Sequence, residues 1–169
     1  MSNICSNALF FDNPNDYLKC KSFIDKYDNL DFSLIVPLPK TNKDLLKEIS
    51  DSVNEGEVDD YYLEKYNVKD LWKHIYWGNT WNHNVQYIDD MNVVTFETPW
   101  NPPYGIIKAL WGQGLAFKFY YGDDADNVIH DLHMSSNIEM DSSDIDDNSI
   151  ILSMARIFSH PQWVIEDEN

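Results

Sequence analysis

The stretch His83–Thr98, HNVQYIDDMNVVTFET, decides how the chain must fold. Two runs, His83 to Asp89 and Asn92 to Thr98, flank a short polar DDMN turn. The second run is dense in β-branched residues, which favour a pleated, half-buried surface. Two strand-like runs joined this closely predict an antiparallel hairpin. Beyond it, Trp100-Asn101-Pro102-Pro103 breaks the strand and opens a helix to Trp111, which Gly112 and Gly114 stop. Leu115 to Tyr121, LAFKFYY, alternates as a strand with Leu115, Phe117, Phe119 and Tyr121 on one face. Val128 to Met134 is its expected hairpin partner. An acidic loop follows, and Asn148 to Phe158 reads as a closing helix with Ile150, Ile151, Met154, Ile157 and Phe158 as its apolar side.

Working back from the hairpin, Gly78 ends a helix that includes LWKHIYW. Asn67 and Asp70 form its N-cap pair, and Leu71, Trp72 and Ile75 face a core. Asp51 to Asp60 is polar, acidic and contains Gly56, so it reads as a loop, with a helical turn added over Asp59 to Tyr66. Thr41 to Ser50 is a short helix with Leu45, Leu46 and Ile49 on its apolar side. Leu30 to Val36, LDFSLIV, reads as a strand that Pro37 and Pro39 terminate. Before it, Asp12 or Asn13 caps a helix with Pro14 in its first turn and Tyr17, Cys20, Ile24 and Tyr27 on one face. Asn3 to Phe11, NICSNALFF, is the first strand. The order is β-α-β, a helix-rich insertion, β-β-α-β-β and a helix. Such an order predicts an α+β fold, with helices on one face of a mainly antiparallel sheet. No repeat or linker divides residues 1–169, so one domain is expected.

Several of these segments together resemble one family. NICSNALFF resembles an opening Asn-aromatic-Cys-x-Asn-x-Leu strand, with Ile4 at the aromatic position. LDFSLIVPLP resembles a Phe-x-x-Ile-x-Pro-x-Pro segment, and WKHIYWGNTWN a Trp-Gly-x-x-Trp motif. VTFETPWNPPYGIIKAL and LAFKFYYGD resemble the strand, Trp-x-x-Pro helix and aromatic strand that follow. The family is the YubB-like ferredoxin-like domain of plasmid and phage proteins, and the resemblance runs over roughly residues 3–124. It implies a ferredoxin-like sandwich without an iron–sulfur cluster, encoded on mobile DNA. It implies no activity. The chain departs from the family at Asn79-Thr80, where a basic residue is usual. It departs again over 125–169, where an acidic hairpin and a closing helix replace a Gly-rich aromatic hairpin.

Charge narrows the function. Asp and Glu number 29 against 12 Lys and Arg, a formal net charge of −17, which disfavours direct binding to nucleic acid. No apolar run approaches a membrane span, and the sequence lacks a signal-peptide layout, so a cytoplasmic location in a host cell is expected. Cys5 and Cys20 fit no metal or redox spacing and read as buried thiols. His130-x-x-His133 would point its imidazoles to opposite faces of a strand, so no metal site and no cofactor is expected. No phosphate loop or nucleophile–base pair is present, so a catalytic role has no sequence support.

Two functional expectations remain. Between Lys118 and Arg156 there is no basic residue other than histidine, while Asp123, Asp124, Asp126, Asp131, Glu139, Asp141, Asp144, Asp146 and Asp147 fall in the interval. With the mobile-element resemblance, this predicts an acidic protein that binds and inhibits a basic, nucleic-acid-handling host defence protein. The mode would be anti-CRISPR or anti-restriction, with carboxylates acting as a DNA mimic. Alternatively, Trp77, Asn79, Trp81, Asn82, Trp100 and Tyr104 line a site for a small ligand, such as a nucleotide, or for an enzyme's substrate. The same aromatic and amide residues also suit a structural corner, with rings buried and amides managing turns.

Overall fold

The computed structural model describes residues 3–56, 64–123, 128–134, 140–145 and 147–158. Their core is an α+β arrangement on one six-stranded antiparallel open sheet. In chain order the elements are β1 (Ile4–Phe11), α1 (Pro14–Lys21), α2 (Phe32–Ile35), α3 (Asn42–Asn54), α4 (Val68–Trp77), β2 (His83–Ile88) and β3 (Val93–Pro99). They continue with α5 (Tyr104–Gly112), β4 (Phe117–Asp123), β5 (Ile129–Met134), β6 (Met140–Asp144) and α6 (Asn148–Phe158). The sheet order is β2-β3-β1-β4-β5-β6. Among the described residues no helix is long and apolar enough to cross a membrane.

Strand alternation divides the core into two layers. On one face Leu9, Phe11, Val94, Phe96, Phe119 and Leu132 are buried beneath α1 to α5. On the other, Ala8, Tyr120 and Ile129 pack against Met154 and Ala155 of α6. The expectation that all helices share one face is therefore corrected: α6 covers the second. Tyr120 alternates with Phe119 and Tyr121, and an apolar residue there needs a cover of its own.

Leu30 to Val36 is not a strand. The Asp31 carboxylate accepts from the Ser33 backbone N–H at 3.0 Å and caps one turn of helix, α2. Phe32 and Ile35, three apart, then both reach the core while Leu34 is exposed. A short apolar run offers either period, and the cap decides it. Helix α1 ends at Lys21, before Ile24 and Tyr27; Ile24 instead bridges Leu30 across a loop. The acidic segment after Met134, read as a loop, contains the edge strand β6. Most of the helical turn expected over Asp59 to Tyr66 lies outside the described residues.

The caps expected for α4 are present: Asn67 Oδ1 accepts from Asp70 N at 2.9 Å, and Gly78 adopts a left-handed φ of 82°. Helix α4 is tied to α3 through the Trp72 indole, which donates to Glu48, and the Tyr76 hydroxyl, which donates to the Glu48 carbonyl at 2.9 Å. Its contact with α5 is closer still. A Cβ on Gly105 would lie 1.9 Å from the Tyr76 carbonyl oxygen, and one on Gly78 would lie 2.6 Å from the Tyr104 nitrogen. Only glycine permits this approach, which brings the residues after α4 against those before α5.

Candidate functional site: an aromatic cleft between helices α4 and α5

That approach opens a cleft of about 510 Å³, lined by Gly78, Asn79, Thr80 and Trp81 on one side and Pro99, Trp100 and Asn101 on the other. Lys65, Tyr66 and His74 complete it. The Tyr66 and His74 rings stack with centroids 5.3 Å apart. Burial, and secondarily the charge of Lys65, hold the His74 imidazole below its usual pKa and favour its neutral form.

The two tryptophans at the mouth are exposed, Trp81 by 42% and Trp100 by 56%. Trp81 leans on the His83 ring at 4.9 Å, and His83 Nε2 pairs with Glu97 at 2.9 Å. Trp100 has a φ of 66°, in the left-handed region that bulky residues avoid. The Asn101 N–H donates to the Pro99 carbonyl at 2.7 Å, which closes a three-residue γ-turn centred on Trp100. With positive φ this is the strained form of that turn. A second tight turn follows at once: Tyr104 N donates to Pro102 O at 2.9 Å, with Pro103 at φ −79° and ψ 77°. Trp100 is therefore the central residue of the first of two neighbouring γ-turns and stands exposed there.

The lip is fixed from beneath. The Asn101 carbonyl accepts from the Thr98 hydroxyl at 2.7 Å and from the Asn79 side-chain amide. Thr98 in turn accepts from Asn7 Nδ2 at 2.9 Å, and the same nitrogen donates to Cys5 O at 3.1 Å. Asn7, Thr98 and Asn79 are all buried, so a satisfied polar chain joins the central strand to the cleft.

Of the six residues expected at a ligand site, the cleft gathers Asn79, Trp81 and Trp100. The other three serve the fold. The Trp77 ring is buried and its indole donates to Val36 O at 2.8 Å. Asn82 donates to Leu30 O at 2.9 Å and accepts from Leu30 N at 3.1 Å, so its amide splices a loop. Tyr104 packs against the larger core, where burial and then the neighbouring Tyr121 push its pKa up. Lys65 and Tyr66 were not foreseen, since nothing in their local pattern places them beside a motif some fifteen residues on.

The acidic candidates among the described residues are divided between the two faces of the sheet, the end of β4 and the start of α6. Asp124, Asp126, Glu139 and Asp146 lie outside the described residues. Asp123 closes β4 opposite Cys5. Asp144 pairs with His130 at 3.0 Å on one face of the sheet. Asp131 and Asp141 point to the other face, where Asp131 lies 3.8 Å from His133. Asp147 caps α6, accepting from Ser149 N at 2.9 Å and Ser149 Oγ at 2.7 Å, which lowers its pKa. Asp141 and Asp144 sit on edge strand β6, where exposed charge deters pairing with other chains.

His130 and His133 occupy opposite faces, as strand alternation requires. Among the described residues no three His, Cys, Asp or Glu side chains gather as metal ligands. Cys5 is buried and donates to Asn7 Oδ1 at 3.6 Å. Burial pushes the Cys20 thiol up to about 12, which makes it a poor nucleophile. No family model matches the chain, and neither does any curated protein or solved structure to which it was compared.

Proposed function

We propose that the chain is a binding protein whose site is the Trp81–Trp100 cleft and whose ligand is a small molecule with a flat ring. One observation carries this reading: Trp100 is held exposed on a strained γ-turn at the cleft mouth. A bulky residue in this backbone region costs about 1–3 kcal/mol, and such strain concentrates at ligand sites. A structural tryptophan would recover that cost by burial, and Trp100 does not. Flat rings with amides and a hydroxyl nearby suit the stacking and edge recognition of a ring ligand. The test is tryptophan fluorescence of the purified protein titrated with a set of aromatic heterocycles, beside a Trp81→Ala/Trp100→Ala variant. Ring ligands should bind the parent and lose at least about tenfold in affinity in the variant. Failure of the whole set to bind, or unchanged binding to a folded variant, would sink the proposal.

The acidic reading rests on a separate observation, the exposed Asp141 and Asp144 on edge strand β6 within an interval free of Lys and Arg. On it, the chain is a non-enzymatic inhibitor, working in the host cytoplasm, of a basic, nucleic-acid-handling defence protein. The sheet order β2-β3-β1-β4, reached as β-helices-β-β-α-β, supports the ferredoxin-like reading; the YubB-like resemblance and an origin on mobile DNA rest on the sequence motifs alone. Neutralising Asp123, Asp141 and Asp144 together leaves the α6 cap intact. Unchanged capture of basic host proteins by that variant at low salt would rule out these three carboxylates as the contact.

A further inference from the structure

Asn79 lines the aromatic cleft although it is only 4% exposed. Its amide cannot be turned either way. The Asn101 backbone carbonyl beside it can only accept a hydrogen bond, so the atom facing that carbonyl must be Nδ2. The same carbonyl accepts from the Thr98 hydroxyl at 2.7 Å, and Thr98 accepts from Asn7 Nδ2 at 2.9 Å. The direction of the Asn79 amide is thus set from the central strand, and Asn79 Oδ1 is left over. This oxygen has no hydrogen-bond partner among the described residues. Nor is it one of their fully enclosed orphan atoms, which are Ser6 Oγ, His83 Nδ1 and the Tyr87 hydroxyl. Asn79 Oδ1 is therefore an open acceptor, and the opening that Asn79 lines is the cleft.

We infer that Asn79 Oδ1 selects the ligand, a one- or two-ring heteroaromatic compound with an N–H or amino donor on its edge. This rests on the cleft being the binding site. Trp81 and Trp100 offer ring faces that any flat ligand satisfies, so stacking alone does not choose among rings. The amide oxygen does choose. A ring with a donor at its edge replaces the water on Oδ1 with a hydrogen bond of its own. A ring without one covers the oxygen and leaves it unpaired, and an acceptor stripped of water is costly. Sites built to hydrogen-bond a ligand discriminate in this way far better than apolar surfaces discriminate size. Asn101 already holds the Asn79 amide, so binding needs little further ordering of that side chain. A cleft of about 510 Å³ admits rings of this size.

The test is calorimetric titration of the full chain with two matched pairs, 9-methyladenine against 9-methylpurine and indole against benzothiophene. The first of each pair carries an N–H donor and the second carries none. The expected result, in whichever pair binds, is at least about tenfold tighter binding of the donor-bearing member. Asn79→Ala should make the two members bind alike, with circular dichroism confirming the fold. Thr98→Val loosens Asn101 but keeps the Asn79 oxygen, so it should weaken both members and preserve their ratio. Where Asn79→Ala does not fold, the ratio in the parent decides alone. Equal binding within a pair would overturn the donor assignment and leave the cleft a ring-binding site. A ratio that persists in folded Asn79→Ala would overturn the role of Asn79. Binding of none of the four, while another heterocycle binds, would overturn the ligand class alone. Failure of every heterocycle to bind would take the cleft reading down with it.

Discussion

The β6 edge with the start of α6, and the α4–α5 junction, solve the exposure of side chains in opposite ways. Near β6 the exposed groups are small carboxylates, each needing little from the backbone, and several are used locally. Asp144 holds His130, and Asp147 holds the first turn of α6. At the α4–α5 junction the exposed groups are tryptophans, and one of them is the central residue of a γ-turn with positive φ. Charge at a surface needs no special geometry and is a weak guide to function. Apolar rings held in water against local strain ask for an explanation, and the proposed ligand would supply it.

Four substitutions or conditions probe that contrast, beginning with the largest effect. Gly105→Ala drives a methyl group into the Tyr76 carbonyl. It should destabilise the chain by about 3 kcal/mol, read as a lower urea midpoint, and should disturb the cleft. Asp147→Ala removes the α6 cap at the acidic end and should cost about 1 kcal/mol while leaving cleft binding intact. Loss of ring-ligand binding there would mean the two regions are coupled. Trp100→Gly relieves the left-handed strain, so the melting temperature should rise by the equivalent of up to about 1 kcal/mol as binding falls. A fall in stability would mean that Trp100 is structural. The smallest effect concerns pH. The folded-state pKa of His74 lies below the unfolded value, so its contribution is fully present above about pH 6.5. The unfolded chain binds a proton first as pH falls, and stability should decline as pH drops through the folded-state value. Comparing urea midpoints of the parent and His74→Gln across pH 5 to about 7.5 isolates this slope.

Much of the fold was legible because local signals agreed. The Asn67–Asp70 cap, the Gly78 stop, the β2–β3 hairpin and the face of α6 each follow from side-chain chemistry within a few residues. The errors fall where two periods compete or where propensity is weak. LDFSLIV carries both a strand and a helical pattern until Asp31 caps it. Met140–Asp144 is poor in strand-forming residues, yet it pairs because β5 offers a free edge. Half of the cleft could be read, since YWGNTWN and PWNPP announce crowded rings beside turn residues. The division of labour among those rings could not. Trp77 and Trp81 look alike in sequence, and only the packing of α4 on Val36 buries one and leaves the other at the mouth. Lys65 joins the site solely through tertiary approach.

The register of β1 has a consequence in time. Leu9 sits opposite Val94 on one side and Phe119 on the other, so the central strand is made long before either neighbour exists. At roughly 5–20 residues per second, ribosomal synthesis leaves it unpaired for on the order of ten seconds. During that wait Ala8-Leu9-Phe10-Phe11 is an apolar segment without a sheet. Local pairs such as the β2–β3 hairpin are the expected first nucleus, and β1 is expected to join only after β3 has been made, gaining its second neighbour with β4. A pulse of limited proteolysis on nascent chains should find β1 cut until the residues of β4 have emerged.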